Sequence, residues 1–305
     1  MLRITVLGEQ VITGEPTGEV RSRSSRSLAL VARLALHAGT PQDRHLVAGS
    51  FWPRSGEAQA LTNLRRELHH LRRLLDGSDA LEVTGTGLCW RDTADCQVDL
   101  RVFRARHAEL ASAPPGRAPT IAGEALAAYG GDLLPAVYDD WVVEARERLR
   151  REAVDLCDLV MAHGPGWGDL AAAVAAGRRR ITLAPLEEAG YRSLMALQAQ
   201  TGDRGGAIST YHHCAAVLER ELGVAPDAST THALEGLLDG PPGRRRPGAS
   251  GGGAAGRAGA HRVPLVGRGE PLQLLARTWQ EVVEGQQPGV VVVRGVAGVG
   301  KTRLV

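Results

Sequence analysis

Glu57-Ala58-Gln59-Ala60-Leu61-Thr62-Asn63-Leu64-Arg65-Arg66-Glu67-Leu68-His69-His70-Leu71-Arg72-Arg73-Leu74-Leu75 decides how the first third of this sequence reads. Leu61, Leu64, Leu68, Leu71 and Leu75 recur at spacings of 3, 4, 3 and 4. On a helix that spacing draws one apolar stripe. The opposite face then presents Gln59, Thr62, Arg66, His69 and Arg73, with Asn63, Arg65, His70 and Arg72 on the flanks. One side is a hydrophobic anchor and the other is a row of donors. Arginine pairs bidentately with guanine, asparagine and glutamine pair with adenine, and an α-helix fits the major groove. An isolated Arg-rich face is equally that of a solvated helix, so its neighbours have to decide.

Upstream, Leu2–Thr13 alternates in places and contains Gly8, which reads as one or two short strands with a turn. Ser25–His37 has a helical period through Leu28, Val31, Leu34 and Ala35, and Gly39 and Pro41 end it. Asp43 is placed to cap a short second helix carrying Leu46, Val47 and Phe51, and Pro53-Arg54-Ser55-Gly56 is a loop. Downstream, Asp76-Gly77-Ser78 stops the long helix, and Leu81–Arg91 reads as a hairpin turning at Gly85-Thr86-Gly87. Strands, three helices and a hairpin, in that order, make a winged helix-turn-helix over residues 1–98. In that frame Thr84 or Thr86 of the hairpin lies beside a phosphate or the minor groove, and Arg21, Arg23 and Arg26 hold backbone at the start of the first helix. Trp52 and Trp90 are expected in the core.

From Asp99 to Gly240 the pattern is all helical, with helices expected over 119–129, 139–163, 168–182, 187–201, 204–222 and 228–238. Gly168-Asp169 and Gly202-Asp203 stand 34 residues apart, and each opens an Ala-rich helix. A period of that length suggests tetratricopeptide-like hairpins. Charge is partitioned along the chain: residues 1–98 carry 12 Arg and 11 acids, and residues 99–240 carry 14 Arg and 20 acids, net −6. An acidic middle does not bind nucleic acid by itself, so DNA contact must come from local arginines elsewhere. Residues 241–262 form a flexible Arg/Gly/Pro linker, whose Arg244–Arg246 run reads as solvated charge.

The first 240 residues resemble a known family. Arg23-Ser24-Ser25-Arg26-Ser27-Leu28-Ala29-Leu30, Ala35-Leu36-His37-Ala38-Gly39, Phe51-Trp52-Pro53 and Ala60–Leu68 are similar to the OmpR-type winged helix of the antibiotic-regulatory-protein (SARP) activators. Tyr129-Gly130-Gly131-Asp132-Leu133-Leu134-Pro135, Tyr138–Val142, Arg146–Leu149 and Glu219–Pro226 resemble the bacterial transcriptional activation domain that follows it. The resemblance implies activation of transcription, often of secondary-metabolite gene clusters, by binding promoter repeats and contacting RNA polymerase. Promoter double-stranded DNA, RNA polymerase and a homodimer on repeated sites are then the expected partners. Met161–Trp167 departs from the charged helix end the family pattern leads one to expect.

Gly295-Val296-Ala297-Gly298-Val299-Gly300-Lys301-Thr302 matches the phosphate-cradling pattern G-x-x-x-x-G-K-[ST] after an expected strand at Val290–Val293, itself preceded by an expected helix at Leu272–Val283. Gly295, Gly298 and Gly300 would let backbone N–H groups curl around phosphates. Lys301 would meet the β- and γ-phosphates, and Thr302 would hold Mg²⁺. The only lysine among 36 basic residues falls where arginine is a poor substitute. Leu265-Val266-Gly267-Arg268 resembles the lead-in of AAA or STAND-type regulatory ATPases. No acidic Mg²⁺-holding strand follows before Val305, so residues 263–305 read as the truncated start of an α/β P-loop domain, and ATP and Mg²⁺ are expected only in a longer parent.

The fold class expected is therefore mainly α: an α+β winged helix, an all-α tetratricopeptide-like domain and a truncated α/β segment. Four cysteines, Cys89, Cys96, Cys157 and Cys214, form no metal-like cluster and read as reduced thiols. No apolar run is long enough for a bilayer span and no signal peptide is read, so a cytoplasmic location is expected. A non-enzymatic DNA-binding regulator is the leading reading. A nucleotide-dependent signalling switch and a helical adaptor that binds proteins but not DNA are its rivals. Lys301→Ala is expected to leave DNA binding of the 305-residue chain unchanged, and the chain is expected to show no ATPase activity. Tight, Lys301-dependent ATP binding in a filter or calorimetric assay would overturn that expectation.

Overall fold

The computed structural model describes residues 1–114 and 116–239. The linker at 241–262, the expected helix at 272–283, the expected strand at 290–293 and the phosphate loop at 295–302 lie outside the described residues.

Strands β1 (Leu2–Thr5), β2 (Val11–Gly14) and β3 (Glu19–Ser22) form an antiparallel meander with Leu2 opposite Gly14 and Thr5 opposite Val11. The third strand goes beyond the one or two expected. Its residues Glu19, Val20 and Arg21 are exposed, so it lacks the apolar alternation that marks a half-buried strand. Helix α1 (Ser25–Ala35) starts at Ser24, whose side chain accepts the Ser27 N–H, and it is the most deeply buried helix of this half. A short strand β4 (Gln42–Asp43) leads to α2 (Arg44–Phe51). Asp43 caps α2 as the sequence foretold, accepting the His45 and Leu46 N–H groups at 2.7 and 3.0 Å.

Helix α3 (Glu57–Leu74) buries Ala60, Leu64, Leu68 and Leu71. Leu61, expected in the stripe, is only half-buried, and Ala60 takes the inward position in the first turn. A 3.6-residue period drifts against a strict 3-4 alternation by about 20° per heptad, roughly 40° over this length, which turns Leu61 toward the flank of the seam. Strands β5 (Leu81–Val83) and β6 (Gly87–Trp90) make the expected hairpin, and β4 adds to β6 as a third strand. Strand β7 (Cys96–Val98) then returns to the first sheet and lies parallel to β1, giving the order β3-β2-β1-β7.

The rest is helical: α4 (Asp99–Leu110), α5 (Ala118–Ala128), α6 (Asp140–His163), α7 (Leu170–Leu183), α8 (Glu188–Gln200), α9 (Arg204–Leu222) and α10 (Ala228–Asp239). The last six match the expected helices to within about two residues, the usual uncertainty of helix ends. Helix α4 was not among them, because only Leu100 and Phe103 of its twelve residues are buried. The 34-residue echo has a geometric basis. Gly168 and Gly202 both sit at φ +78°, and Asp169 and Asp203 both cap the helix that follows, accepting Ala172 and Gly206 N–H at 2.8 Å each. Close helix crossings fall on glycines. A Cβ on Gly177 would lie 2.9 Å from Leu194 Cδ1, and one on Gly164 would lie 2.8 Å from Ala173 Cβ. The unusual Met161–Trp167 stretch thus lets α7 cross tightly against the end of α6.

Residues 1–239 belong to one compact unit that runs across the expected boundary at 98/99. The seam is a backbone splice. Leu7 bridges Leu133, Gly8 N–H donates to Asp132 C=O and Leu134 N–H to Val6 C=O, both at 2.9 Å. The Asp99 carboxylate accepts the Val6 and Leu7 N–H groups at 3.0 and 2.9 Å. Burial pushes that carboxyl up to about 6, although the backbone donors pull it down. The Arg146 guanidinium gathers the carbonyls of Leu133, Leu134 and Val137 at 2.6–2.8 Å.

A Cβ on Gly130 would sit 2.6 Å from the Leu7 carbonyl oxygen, whereas one on Gly123 of α5 would meet nothing within 4 Å. Gly130→Ala is therefore expected to destabilise the unit by about 1–3 kcal/mol through overpacking. Gly123→Ala is expected to be neutral or to stabilise by roughly 0.5–1 kcal/mol through helix propensity. Urea melts of the two variants check this, and equal effects would mean the splice tolerates a methyl group.

Candidate nucleic-acid interface

The outward face of α3 is built by its inward one. With Leu64, Leu68, Leu71 and Leu75 buried, Gln59, Arg65, Arg66, His69, His70, Arg72 and Arg73 are left exposed, and Thr62 and Asn63 half-buried. The face carries local bonds already. Gln59 Nε2 donates to Asn63 Oδ1 at 2.9 Å, and the Thr62 hydroxyl donates to Ala58 C=O at 2.8 Å. The helix has two acids. Glu57 takes the His45 ring at 2.7 Å, and Glu67 turns inward to accept the Ser27 hydroxyl at 2.5 Å. Among the described residues Arg65, Arg66, Arg72 and Arg73 form no ion pair. Four guanidinium groups on one helix are thus free to meet phosphates or base edges. Gly56 supplies no side-chain cap, so the first N–H groups of α3 are also open to an anion.

The other residues singled out in the sequence are placed differently. Arg23 is exposed but pairs with Glu9 at 3.1 Å. Arg26 donates to the Phe51 carbonyl at 3.1 Å and lies over the Phe51 and Trp52 rings, so it braces the end of α2. Arg21 pairs with Asp76, one residue beyond the end of the Leu stripe. Thr86 is exposed at the hairpin tip, and its carbonyl accepts the Arg44 N–H at 3.1 Å. Trp90 is buried and Trp52 half-buried, as expected.

Sequence reasoning missed Arg44. Its guanidinium donates to Thr84 C=O at 3.0 Å, which ties the start of α2 to the wing. Its place directly after the capping Asp43 was the available signal. Arg54, exposed in the loop before α3, adds a charge beside the same helix end. The phosphate-loop residues Gly295, Gly298, Gly300, Lys301 and Thr302 lie outside the described residues. Among the described residues no three metal-ligating side chains cluster, and no helix is long and apolar enough to cross a membrane.

A small sheet, a three-helix core with a wing, and a following helical array define a winged-helix frame joined to an all-helical domain. Residues 98–238 match the family model of the bacterial transcriptional activator domain. The chain is similar to the regulatory protein AfsR of Streptomyces griseus, at 27% identity over 99% of this chain and 32% of the relative. It is likewise similar to AfsR of Streptomyces coelicolor, at 26% identity over 97% of this chain and 30% of the relative. The chain therefore spans about a third of the length of these curated relatives. A solved structure of Mycobacterium tuberculosis EmbR, in complex with a low affinity phosphopeptide, superposes with a TM-score of 0.56 at 20% identity. That likeness covers 78% of this chain and 65% of EmbR, and it concerns the fold alone. The domain match concerns residues 98–238, and both curated relatives are regulatory proteins by name.

If Arg66 reads a base edge, Arg66→Ala is expected to weaken specific DNA binding by about 1–3 kcal/mol with an unchanged far-UV spectrum. Unchanged operator affinity in a gel shift would take the reading role away from this face.

Proposed function

We propose that this chain is a sequence-specific, double-stranded-DNA-binding transcriptional regulator, acting as an activator of a secondary-metabolite or similar gene cluster. The observation that carries this reading is the face of α3, where four unpaired arginines flank Gln59 and Asn63 on a helix anchored by a leucine seam. Helix α3 enters the major groove, where arginine and amide side chains discriminate bases. The wing tip at Thr86 and Arg54 of the loop before α3 position the backbone. The helical domain, joined rigidly through the Leu7–Leu133 bridge, presents its surface to RNA polymerase. Repeated promoter sites would bring two copies together.

In a longer parent, the pattern at 295–302 would add a nucleotide-binding function, with Lys301 on the phosphates and Thr302 on Mg²⁺. The reading of that segment rests on its sequence pattern.

A gel shift of the 305-residue chain against DNA from its own upstream region tests the proposal. The expected result is a discrete complex whose log affinity falls linearly with log salt, with a slope of about −4 if the four arginines each displace one counterion. The double variant Arg66→Ala/Arg73→Ala should flatten that slope by about 2. Absence of any complex would favour a protein-binding adaptor instead, and a complex that is salt-independent or that the double variant leaves intact would take DNA contact away from α3.

A further inference from the structure

Away from α3, cationic side chains from both halves of the unit converge at the C-terminal end of α1. Arg33 comes from α1, His37 from the turn just after it and Arg104 from α4, and Arg148 of α6 is near enough for its field to bear on His37. Arg33 Nη1 lies 2.6 Å from His37 Nε2. A guanidinium can only donate, so the histidine accepts there and carries its proton on Nδ1. Arg33 Nε is buried with no hydrogen-bond partner, and the rest of the guanidinium lies over the Trp141 ring at 5.8 Å. Arg104 Nη1 donates to the Leu36 carbonyl at 2.9 Å. Among the described residues Arg33, Arg104 and Arg148 form no ion pair with a carboxylate. Arg101, which also lines the cleft beside the cluster, is already held by Asp92 through three bonds.

This concentration of positive charge is out of keeping with its setting, because α4 to α10 carry a net negative charge. Uncompensated cations that close together are costly unless a counter-anion joins them. His37 shows that cost. Burial, then the fields of Arg33, Arg148 and Arg104, holds its pKa below the ordinary histidine value. Beside the cluster is an open cleft of about 430 Å³, lined by His37, Thr40 and Arg104. It is large enough for a tetrahedral oxyanion and its solvent shell.

We infer that the Arg33–His37–Arg104–Arg148 cluster is a binding site for a phosphoryl oxyanion, either free phosphate or the phosphate group of a nucleotide. Arginine is suited to this ligand because its planar fork matches the oxygens of a phosphate. The residues come from α1 and the turn after it on one side of the splice and from α4 and α6 on the other, so a bound anion cross-links the winged helix to the helical domain. This inference is independent of what α3 binds.

The test is calorimetric titration of the full 305-residue chain with inorganic phosphate, at constant ionic strength maintained with chloride. The expected result is saturable one-site binding. His37→Ala/Arg148→Ala removes two exposed side chains and should leave the circular dichroism unchanged. It should weaken binding about tenfold or more, the loss of at least one charge-assisted bond. Arg66→Ala should bind phosphate like the parent. Repeating the titration with ADP on a Lys301→Ala background separates the two sources. Tighter binding of ADP than of phosphate, lost in the double variant, assigns the site to a nucleotide, and equal affinity assigns it to free phosphate. Absence of saturable binding at constant ionic strength, or binding that the double variant leaves unaltered, overturns the inference. A double variant that weakens duplex DNA binding while phosphate never binds gives the cluster to the DNA backbone, and also overturns it.

Discussion

Everything in the described part of this molecule hangs on the splice between Val6–Gly8 and Asp132–Leu134. A strand end normally exposes N–H and C=O groups that must find partners. Here β1 runs past its sheet pairing, and its next residues are satisfied from the helical half: Asp99 takes two N–H groups, while Leu134 and Asp132 complete the pairing. The approach is so close that glycine is required on both sides. A Cβ on Gly131 would lie 3.1 Å from Gly8 Cα, and Gly8 itself is at φ +84°. The Tyr129–Pro135 motif thus has a mechanical meaning. Its glycines let two backbones meet, Leu133 and Leu134 fill the core beneath, and Arg146 satisfies the carbonyls left over at the turn.

Those facts explain why some of the fold was legible and some was not. The helices α3 and α5 to α10 announce themselves through long amphipathic periods, and Asp43, Asp169 and Asp203 announce helix starts because a short carboxylate side chain caps naturally there. Strand β3 is exposed and β7 has three residues, so neither carries enough pattern to be read. Their existence depends on partners distant in sequence, with β7 held to β1 across some ninety residues of chain. Helix α4 is similar, since its place is set by the strands and by α1 beneath it.

The candidate interface divides the same way. The α3 face could be read because periodicity alone decides which side chains point outward. Arg23 and Arg26 could not, because an arginine near a helix start looks the same whether it faces solvent, a carboxylate or an aromatic ring. In the folded chain one is paired with Glu9 and the other stacks on Trp52. The cationic cluster was invisible for a stronger reason. Arg33 and Arg148 are far apart in sequence, and only the folded chain brings their elements together.

Helix α1 is the beam that connects these pieces. Near its start, the buried Ser27 hydroxyl donates to Glu67, which fixes the roll of α3 and so the direction of the arginine face. Near its end, Arg104 of α4 holds the Leu36 carbonyl, and Arg33 rests on Trp141 of α6. Trp141 also meets Phe51 at the end of α2, with ring centroids 5.7 Å apart. The position of α3 is therefore tied to the position of the helical domain through packed side chains and backbone bonds at both ends of one buried helix. Close-packed contacts of this kind do not deform continuously. DNA binding by such a unit would set where the helical surface stands in space without requiring a change in its shape, and an anion gripping α1, α4 and α6 together would act on that same rigid connection.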